Sequence, residues 1–546
     1  EVLVWFLAET PEPGTAQIEL SAVRSAGIDS IQTEFQVRPA TAFHQETRLA
    51  KVEAGRSMTF DPSANFESSG LRVQVEISGN PQIELRPALR ALLDYPHGCL
   101  EQTTSRLYAL VNAGALLEGE SGLVESMVHA GILRLHAMQT RSGGLGYWMG
   151  NTSPSTWGSA YAGGFLAEAK RAGFDVPVSL SSPLVEFLSK QLRSGEQPLG
   201  TQALICRVLA AFGKPQEGWM SRVQEQLSDL DLAGRAHLAA AWLQLGRRDR
   251  AMECLHEDTL SLICHSSSGG RITSQIRQEG ALLSVMLDLD PEHQWVSALA
   301  SRLHKARENG SWRSTLEDAA ALNALARYQT IQEPAGSFTG ALVTASGERY
   351  EFDSTETARF QFANGELGGK PFTIETQGDA VAHLVVDAEG NPTIPVAAYD
   401  KNLAVRRKLF DAEGNALTAQ SEVHVGDLIQ VEVTLTAPGT PTGTSLPNFA
   451  IVDTMPAGLE IENPRLATST TLPGQRSSPY DRVEFREDRV VIFASARPKK
   501  DVFRYSLRAT LAGDYSVPPI QASSMYDPGY ASLGAVDSLR VLQNDK

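Results

Sequence analysis

The sequence predicts a mixed multidomain fold: an all-α domain of the α/α-toroid type, inserted in a split β-sandwich domain and followed by a further β-sandwich. Three observations carry this. The first eighty or so residues alternate apolar and polar positions, the stretch from about Leu85 to Tyr328 is apolar at helical spacing, and after EPAGSF (Glu333 to Phe338) the period of two returns.

The elements follow in order. IQTEFQVRPA and GLRVQVEISG, punctuated by Gly, Pro and Ser, read as strands. Five similar apolar helices then recur: WGSAYAGGFLAEAKRAGF from Trp157, TQALICRVLAAFGK from Thr201, GRAHLAAAWLQLGRR from Gly234, QEGALLSVMLDLD from Gln278 and LEDAAALNALARYQ from Leu316. Their spacing of about 30 to 45 residues suits repeated helix pairs. Helices apolar nearly all round belong to the inner layer of a helical assembly, with the more polar stretches between them as outer partners. A closed ring fits this number of repeats, and an open solenoid is the alternative. Downstream, ERYEFDS, PFTIETQ, AVAHLVVDAEG, VHVGDLIQVEVTL, NFAIVDTMPAGLEI and RVVIFASA are short strands between Gly-Asp and Glu-Gly turns. Roughly fifty β residues before the helices and sixty after them are each small for a sandwich, so one β domain is expected to be split by the helical insertion. The remaining C-terminal stretch of about 150 residues is large enough to stand alone.

Bulk properties exclude several classes. A chain of 546 residues suggests about three to five domains. With 42% hydrophobic and 21% charged residues it has the composition of a folded globular protein. A net charge of −16 and the lack of a Lys/Arg cluster interleaved with aromatics argue against nucleic acid as a partner. No uninterrupted apolar run reaches the roughly 18 to 20 residues of a membrane span. The opening EVLVWFLAET reads as a strand without a signal-like segment, as expected of a piece of a longer protein. Four cysteines form no disulfide framework. Cys254 and Cys264 are near enough in sequence to pair in an oxidising compartment, and Cys206, within ALICRVLAAF, suits a buried inert thiol.

Cys99 alone has a distinctive context, YPHGCLEQTTSR. Pro96 fixes a turn, Gly98 permits backbone conformations closed to other residues, and Cys99 lies at a helix start with Glu101 near the positive end of the helix dipole. Gln102, three residues on, is within reach of the Cys99 sulfur. Four readings are open. A zinc site wants more Cys and His than Cys99 and His97 supply. A Cys hydrolase needs a His base from elsewhere in the fold. Cys99 could simply pack under the helix. Finally, its thiolate could have displaced ammonia from the Gln102 amide, storing an electrophilic thioester that survives only where water is excluded. GGLGYWMGNTSPSTWGSAY (Gly143 to Tyr161) offers Tyr147, Trp148, Trp157 and Tyr161 for that shielding, although each also suits a plain core position.

YPHGCLEQTTSR closely resembles the thioester motif of the bacterial α2-macroglobulins, usually Tyr-Pro-x-Gly-Cys-Leu-Glu-Gln. GGLGYWMG, PSTWGSAY and SWRSTLEDAAALNALARY are similar to further thioester-domain segments, and VGDLIQVEVTL, VDTMPAGLEIENP and PPIQASSMYDPGY to the terminal macroglobulin-like domain. The resemblance spans nearly the whole chain in order. It implies the end of a macroglobulin-like domain at 1–36, a CUB-like β domain split between 37–84 and 334–394, an α/α-toroid thioester domain at 85–333, and a C-terminal macroglobulin-like β-sandwich at 395–546.

The resemblance further implies a protease trap. Cleavage of a bait region upstream rearranges the molecule, and a nucleophile of the protease, typically a Lys amine, attacks the exposed thioester. Cys99 is then the leaving thiol and Gln102 the acyl donor, each used once, so the protein is a single-use inhibitor without metal or cofactor. Glu101, Gly98 and Pro96 match motif positions, and His97 occupies a variable one read as packing. Complement relatives that acylate hydroxyls use a His in a thioester-domain loop. Between SPLVEFLSKQLRSGEQ and TQALICRVLAAF there is none, which favours direct attack by amines. Resemblance alone also implies a periplasmic monomer, tethered to the inner membrane through an N-terminal lipid and near the peptidoglycan-synthesis machinery. The alternatives are an α/α-toroid enzyme and a scaffold or surface protein whose thioester never forms. An enzyme of that kind needs an Asp-rich metal motif or paired carboxylates, and Glu317-Asp318 reads instead as a helix N-terminal charge pair.

Overall fold

A computed structural model describes residues 14–543 apart from 25–26, 38–43, 63–64, 68–69, 96, 118–120, 257–272, 332–335, 364–365, 368–369, 395, 419–420 and 463–477. The chain divides into two compact units. The β unit comprises 1–79, 336–523 and 529–546, and the helical unit comprises Asn80–Ala335 together with Ser524–Pro528.

In the β unit, β1 (Gly14–Arg24) and β2 (Gly27–Val37) form an antiparallel hairpin. Before the helices come β3 (His44–Val52), β4 (Ser57–Phe60) and β5 (Arg72–Ser78). After them come β6 (Phe338–Thr344), β7 (Arg349–Asp353), β8 (Ala358–Phe362), β9 (Phe372–Gly378) and β10 (Ala382–Gly390). Strands from both sides of the helical segment share two sheets, β3-β10-β5-β8 and β4-β9-β6-β7. Alternation explains the pairing: Val73, Val75 and Ile77 of β5 point to one face and are buried with Leu384 and Val386 of β10 and Ile374 of β9. Phe60 stacks on its register partner Phe372 with ring centroids 5.5 Å apart. Further on, Leu428–Thr436 pairs with Asp501–Ala509 and Leu446–Thr454 with Arg489–Ala496 around a second core that includes Val431, Val433, Phe449, Ile451 and Phe503. The buried Asp453 there accepts hydrogen bonds from Arg407 (2.5 Å) and Tyr505 (2.6 Å), so the carboxylate is satisfied.

The helical unit holds α1 (Arg86–Asp94), α2 (Leu100–Ala113), α3 (Ser121–Ala137), α4 (Thr156–Arg171), α5 (Val178–Ser194), α6 (Leu199–Ala211), α7 (Glu217–Gln224), α8 (Leu232–Gln244), α9 (Arg248–Glu253), α10 (Gln275–Leu289), α11 (Gln294–Lys305) and α12 (Thr315–Thr330). The even-numbered helices pack each on the next, and α12 returns to α2, which closes a ring. The five repeated apolar segments lie on α4, α6, α8, α10 and α12. In α8 every residue from Leu232 to Trp242 is buried, which requires the apolar surround its sequence has. No described helix is long and apolar enough to cross a membrane.

The loop between α3 and α4 carries Tyr147 and is tightly held. Gly146 N–H donates to the Met138 carbonyl (2.9 Å), Ser155 N–H to the Leu145 carbonyl (2.8 Å) and Leu145 N–H to Ser159 Oγ (2.8 Å). Gly143 has φ +89°, and a Cβ there would lie 2.3 Å from the Pro183 carbonyl oxygen. Gly143→Ala is therefore expected to lower stability by about 3 kcal/mol, whereas Gly122→Ala, with nothing within 4 Å, has little effect. Chemical denaturation of the two variants checks this, and equal midpoints would contradict it.

Candidate functional site

Helix α2 begins on Cys99. Its φ/ψ of −69°/174° is extended, its Sγ accepts the Gln102 N–H at 3.4 Å, and the Gln102 side-chain Oε1 accepts the Cys99 N–H at 3.1 Å. This is a reciprocal capping box. Four of the other ring helices start on better acceptors: Ser155, Asp231, Ser274 and Ser314 each cap with a side-chain oxygen. Sulfur is a weak acceptor, so capping alone does not explain a cysteine here. The Leu100 N–H, also left over at the helix start, donates to the Tyr147 carbonyl at 2.9 Å.

The pair is deeply buried, with Cys99 0% and Gln102 2% exposed. Gln102 Nε2 is buried and has no hydrogen-bond partner among the described residues. Burial, reinforced by the neighbouring Glu101, pushes the Cys99 thiol up to about 12. Glu101 is itself fully buried and raised by desolvation, against the pull of its hydroxyl donors. Those donors are Ser105 Oγ (2.5 Å), Thr315 Oγ1 (3.1 Å) and Tyr526 Oη (2.8 Å). Tyr526 Oη also lies 3.9 Å from Cys99 Sγ and 2.5 Å from Tyr147 Oη.

Residues 403–529 match the family described as the bacterial α2-macroglobulin MG10 domain. The α2-macroglobulin of Escherichia coli K12 is 26% identical over 559 aligned positions, which cover 94% of this chain and 32% of that protein. The crystal structure of native E. coli α2-macroglobulin from domain MG7 to the C-terminus has a TM-score of 0.81 at 25% identity, covering 97% of this chain and 88% of that one. The chain belongs to the bacterial α2-macroglobulin family. It corresponds to the C-terminal portion and spans about a third of the length of the E. coli relative (32%). Salmonella α2-macroglobulin reacted with methylamine has the same fold, with a TM-score of 0.80 at 24% identity over 97% of this chain and 36% of that one.

In this α2-macroglobulin chain the four aromatics of the α3–α4 loop and α4 take different places. Tyr147 touches the Cys99 pocket through its hydroxyl. Trp148 packs edge-on behind Tyr147 at 6.0 Å. Trp157 stacks on Tyr161 at 5.2 Å, and Tyr161 Oη lies 3.0 Å from Ser105 Oγ, one hydrogen bond removed from Glu101. Tyr526 escaped the sequence reading altogether, although it lies within PPIQASSMYDPGY. It is 427 residues from Cys99, and no local pattern joins them.

Gly98 requires a correction. Its φ is not positive, so backbone freedom does not explain it. A Cβ would lie 2.5 Å from Arg134 Nη2, the far end of an exposed, adjustable side chain that donates to the Gly98 carbonyl at 2.9 Å, so a larger residue would displace that contact. Pro96 lies outside the described residues. His97 is buried edge-on against Tyr95 at 5.3 Å. Glu317 pairs with Arg313 (3.0 Å) and Asp318 accepts the Trp312 N–H (2.7 Å), so both serve the start of α12. Cys206 and Cys254 are buried and form no disulfide among the described residues, and Cys264, the candidate partner of Cys254, lies outside them.

Proposed function

We propose that the helical unit is the α/α-toroid thioester domain of a protease-trapping α2-macroglobulin, inserted in a CUB-like β domain and followed by a macroglobulin-like domain. Cys99 Sγ displaces ammonia from the Gln102 side-chain carbonyl. After bait cleavage elsewhere in the molecule, a protease Lys amine attacks that carbonyl, an amide forms, the C–S bond breaks and sulfur takes up the proton. The reaction happens once per molecule, as befits an inhibitor rather than an enzyme. Periplasmic location, an N-terminal lipid tether, work as a monomer and proximity to peptidoglycan synthesis extend the same reading.

The observation that carries it is the Cys99–Gln102 box. It holds sulfur and carbonyl carbon on one turn, while Gln102 Nε2, the atom that thioester formation removes, is buried with no partner among the described residues. An unsatisfied buried amide group costs about 1–3 kcal/mol, a cost that release of ammonia relieves. The pocket also suits storage. Water is excluded, and a thiolate leaving beside Glu101 is disfavoured, as the raised thiol pKa indicates.

Alkylation after rapid acid denaturation tests this. Cys206 is expected to label at once and Cys99 only after prior treatment with methylamine. Full labelling of Cys99 in untreated native protein would contradict the proposal.

A further inference from the structure

We infer that Tyr526 and Glu101 form the proton path that closes the thioester. Tyr526 takes the proton of the Cys99 thiol as Sγ attacks the Gln102 carbonyl, and passes its own proton to Glu101. The inference rests on the thioester reading above.

Geometry supplies each contact. Tyr526 Oη stands between the two groups, 3.9 Å from Sγ and 2.8 Å from Glu101 Oε2. The Tyr147 hydroxyl, 2.5 Å away, can donate to Tyr526 Oη and steady the negative charge that builds there during transfer. At the electrophile, Gln102 Oε1 already accepts the Cys99 N–H at the positive end of α2, which favours an oxyanion.

Glu101 itself is otherwise hard to explain. A buried carboxylate is costly unless paired, yet among the described residues it has three hydroxyl partners and no ion pair. A neutral acceptor such as Gln would serve those hydroxyls at lower cost. Beyond a negative charge that the helix start and the Arg277 guanidinium favour, the carboxylate adds basicity, and desolvation strengthens it. The site needs a base, because the buried thiol does not ionise unaided.

The step is balanced. The S–C bond forms and the C–N bond breaks. The thiol proton, relayed through Tyr526 to Glu101, must return along the same relay to the nitrogen as the tetrahedral intermediate collapses, so that ammonia leaves and the carboxylate is restored. Tyr526 touches the reacting sulfur, whereas Glu101 acts through it. The groups whose charge bears on Glu101 are Cys99, the phenols of Tyr95, Tyr147, Tyr161 and Tyr526, the Asp318 carboxyl on α12 and the Arg277 guanidinium on α10.

The test uses the full native protein opened with ammonia, which regenerates the Cys99 thiol and the Gln102 amide. After ammonia is removed, closure is followed by intact mass as loss of one ammonia, over a range of pH. Wild-type closure is expected to slow as pH falls through the raised Glu101 ionisation, since the base must be charged. Glu101→Gln is expected to close about a hundredfold more slowly and without that pH dependence, with partial rescue by Glu101→Asp. Tyr526→Phe, which keeps the ring over the sulfur, is expected to slow closure similarly. Wild-type rates and pH profiles in both Glu101→Gln and Tyr526→Phe would overturn the inference and leave the thioester reading standing. A wild-type protein that never shows the ammonia deficit would overturn both.

Discussion

Cys99→Ser is expected to abolish covalent capture while leaving the fold intact. A hydroxyl is a better N-cap acceptor than a thiol, so the first turn of α2 keeps its bond to the Gln102 N–H and stability changes by no more than about 1 kcal/mol. The chemistry does not survive, because an alkoxide leaves far less readily than a thiolate and a Ser hydroxyl does not displace ammonia from an amide in this pocket. The full protein carrying Cys99→Ser should show no mass deficit, no methylamine uptake and no denaturant-resistant adduct after exposure to a protease. Gel electrophoresis beside a thermal melt separates the two effects. Adducts at the wild-type level in the folded variant would mean that another residue performs the capture.

The second large effect is expected at Tyr526. Tyr526→Ala removes the ring beside Sγ, one of the three hydroxyl donors to Glu101 and the partner of the Tyr147 hydroxyl. Two buried polar groups lose a bond and a cavity opens against the sulfur, so the helical unit should lose about 3 kcal/mol. Water then reaches the stored bond. The thioester lifetime in neutral buffer is expected to fall by at least about tenfold, equivalent to about 1.4 kcal/mol of barrier, read as the rate of thiol release. Tyr526→Phe keeps the ring and should retain most of that lifetime. A wild-type lifetime in Tyr526→Ala would place the shield elsewhere.

How much of this was legible depended on sequence distance. Cys99 and Gln102 are three residues apart at a helix start, and a helical turn brings such residues together whatever the rest of the fold does. The ring helices α4 to α12 were visible because their small apolar residues are buried nearly all round. Helix α2 lacks that signal, because its first turns carry the polar run Glu101, Gln102, Thr103, Thr104 and Ser105. All five are buried; Ser105 Oγ donates to Glu101, and Thr104 Oγ1 donates to the Leu100 carbonyl one turn back. Alternation in β5 and β10 announced strands, but only the register joining Val75 to Val386 across the helical segment makes them one sheet. Tyr526 and Thr315 reach Glu101 from 425 and 214 residues away, which no spacing rule anticipates. Gly98 has no positive φ, and the neighbour a larger residue would meet there, the Arg134 guanidinium, comes from α3.

Whether the Cys99–Gln102 pair is a stored covalent bond is decided by the intact mass of the native protein before and after methylamine. The native chain is expected to be lighter than its sequence by one ammonia, to gain one methylamine on treatment and to yield one new thiol at Cys99. A native chain at its full sequence mass, with Cys99 free and no methylamine gained, would contradict it.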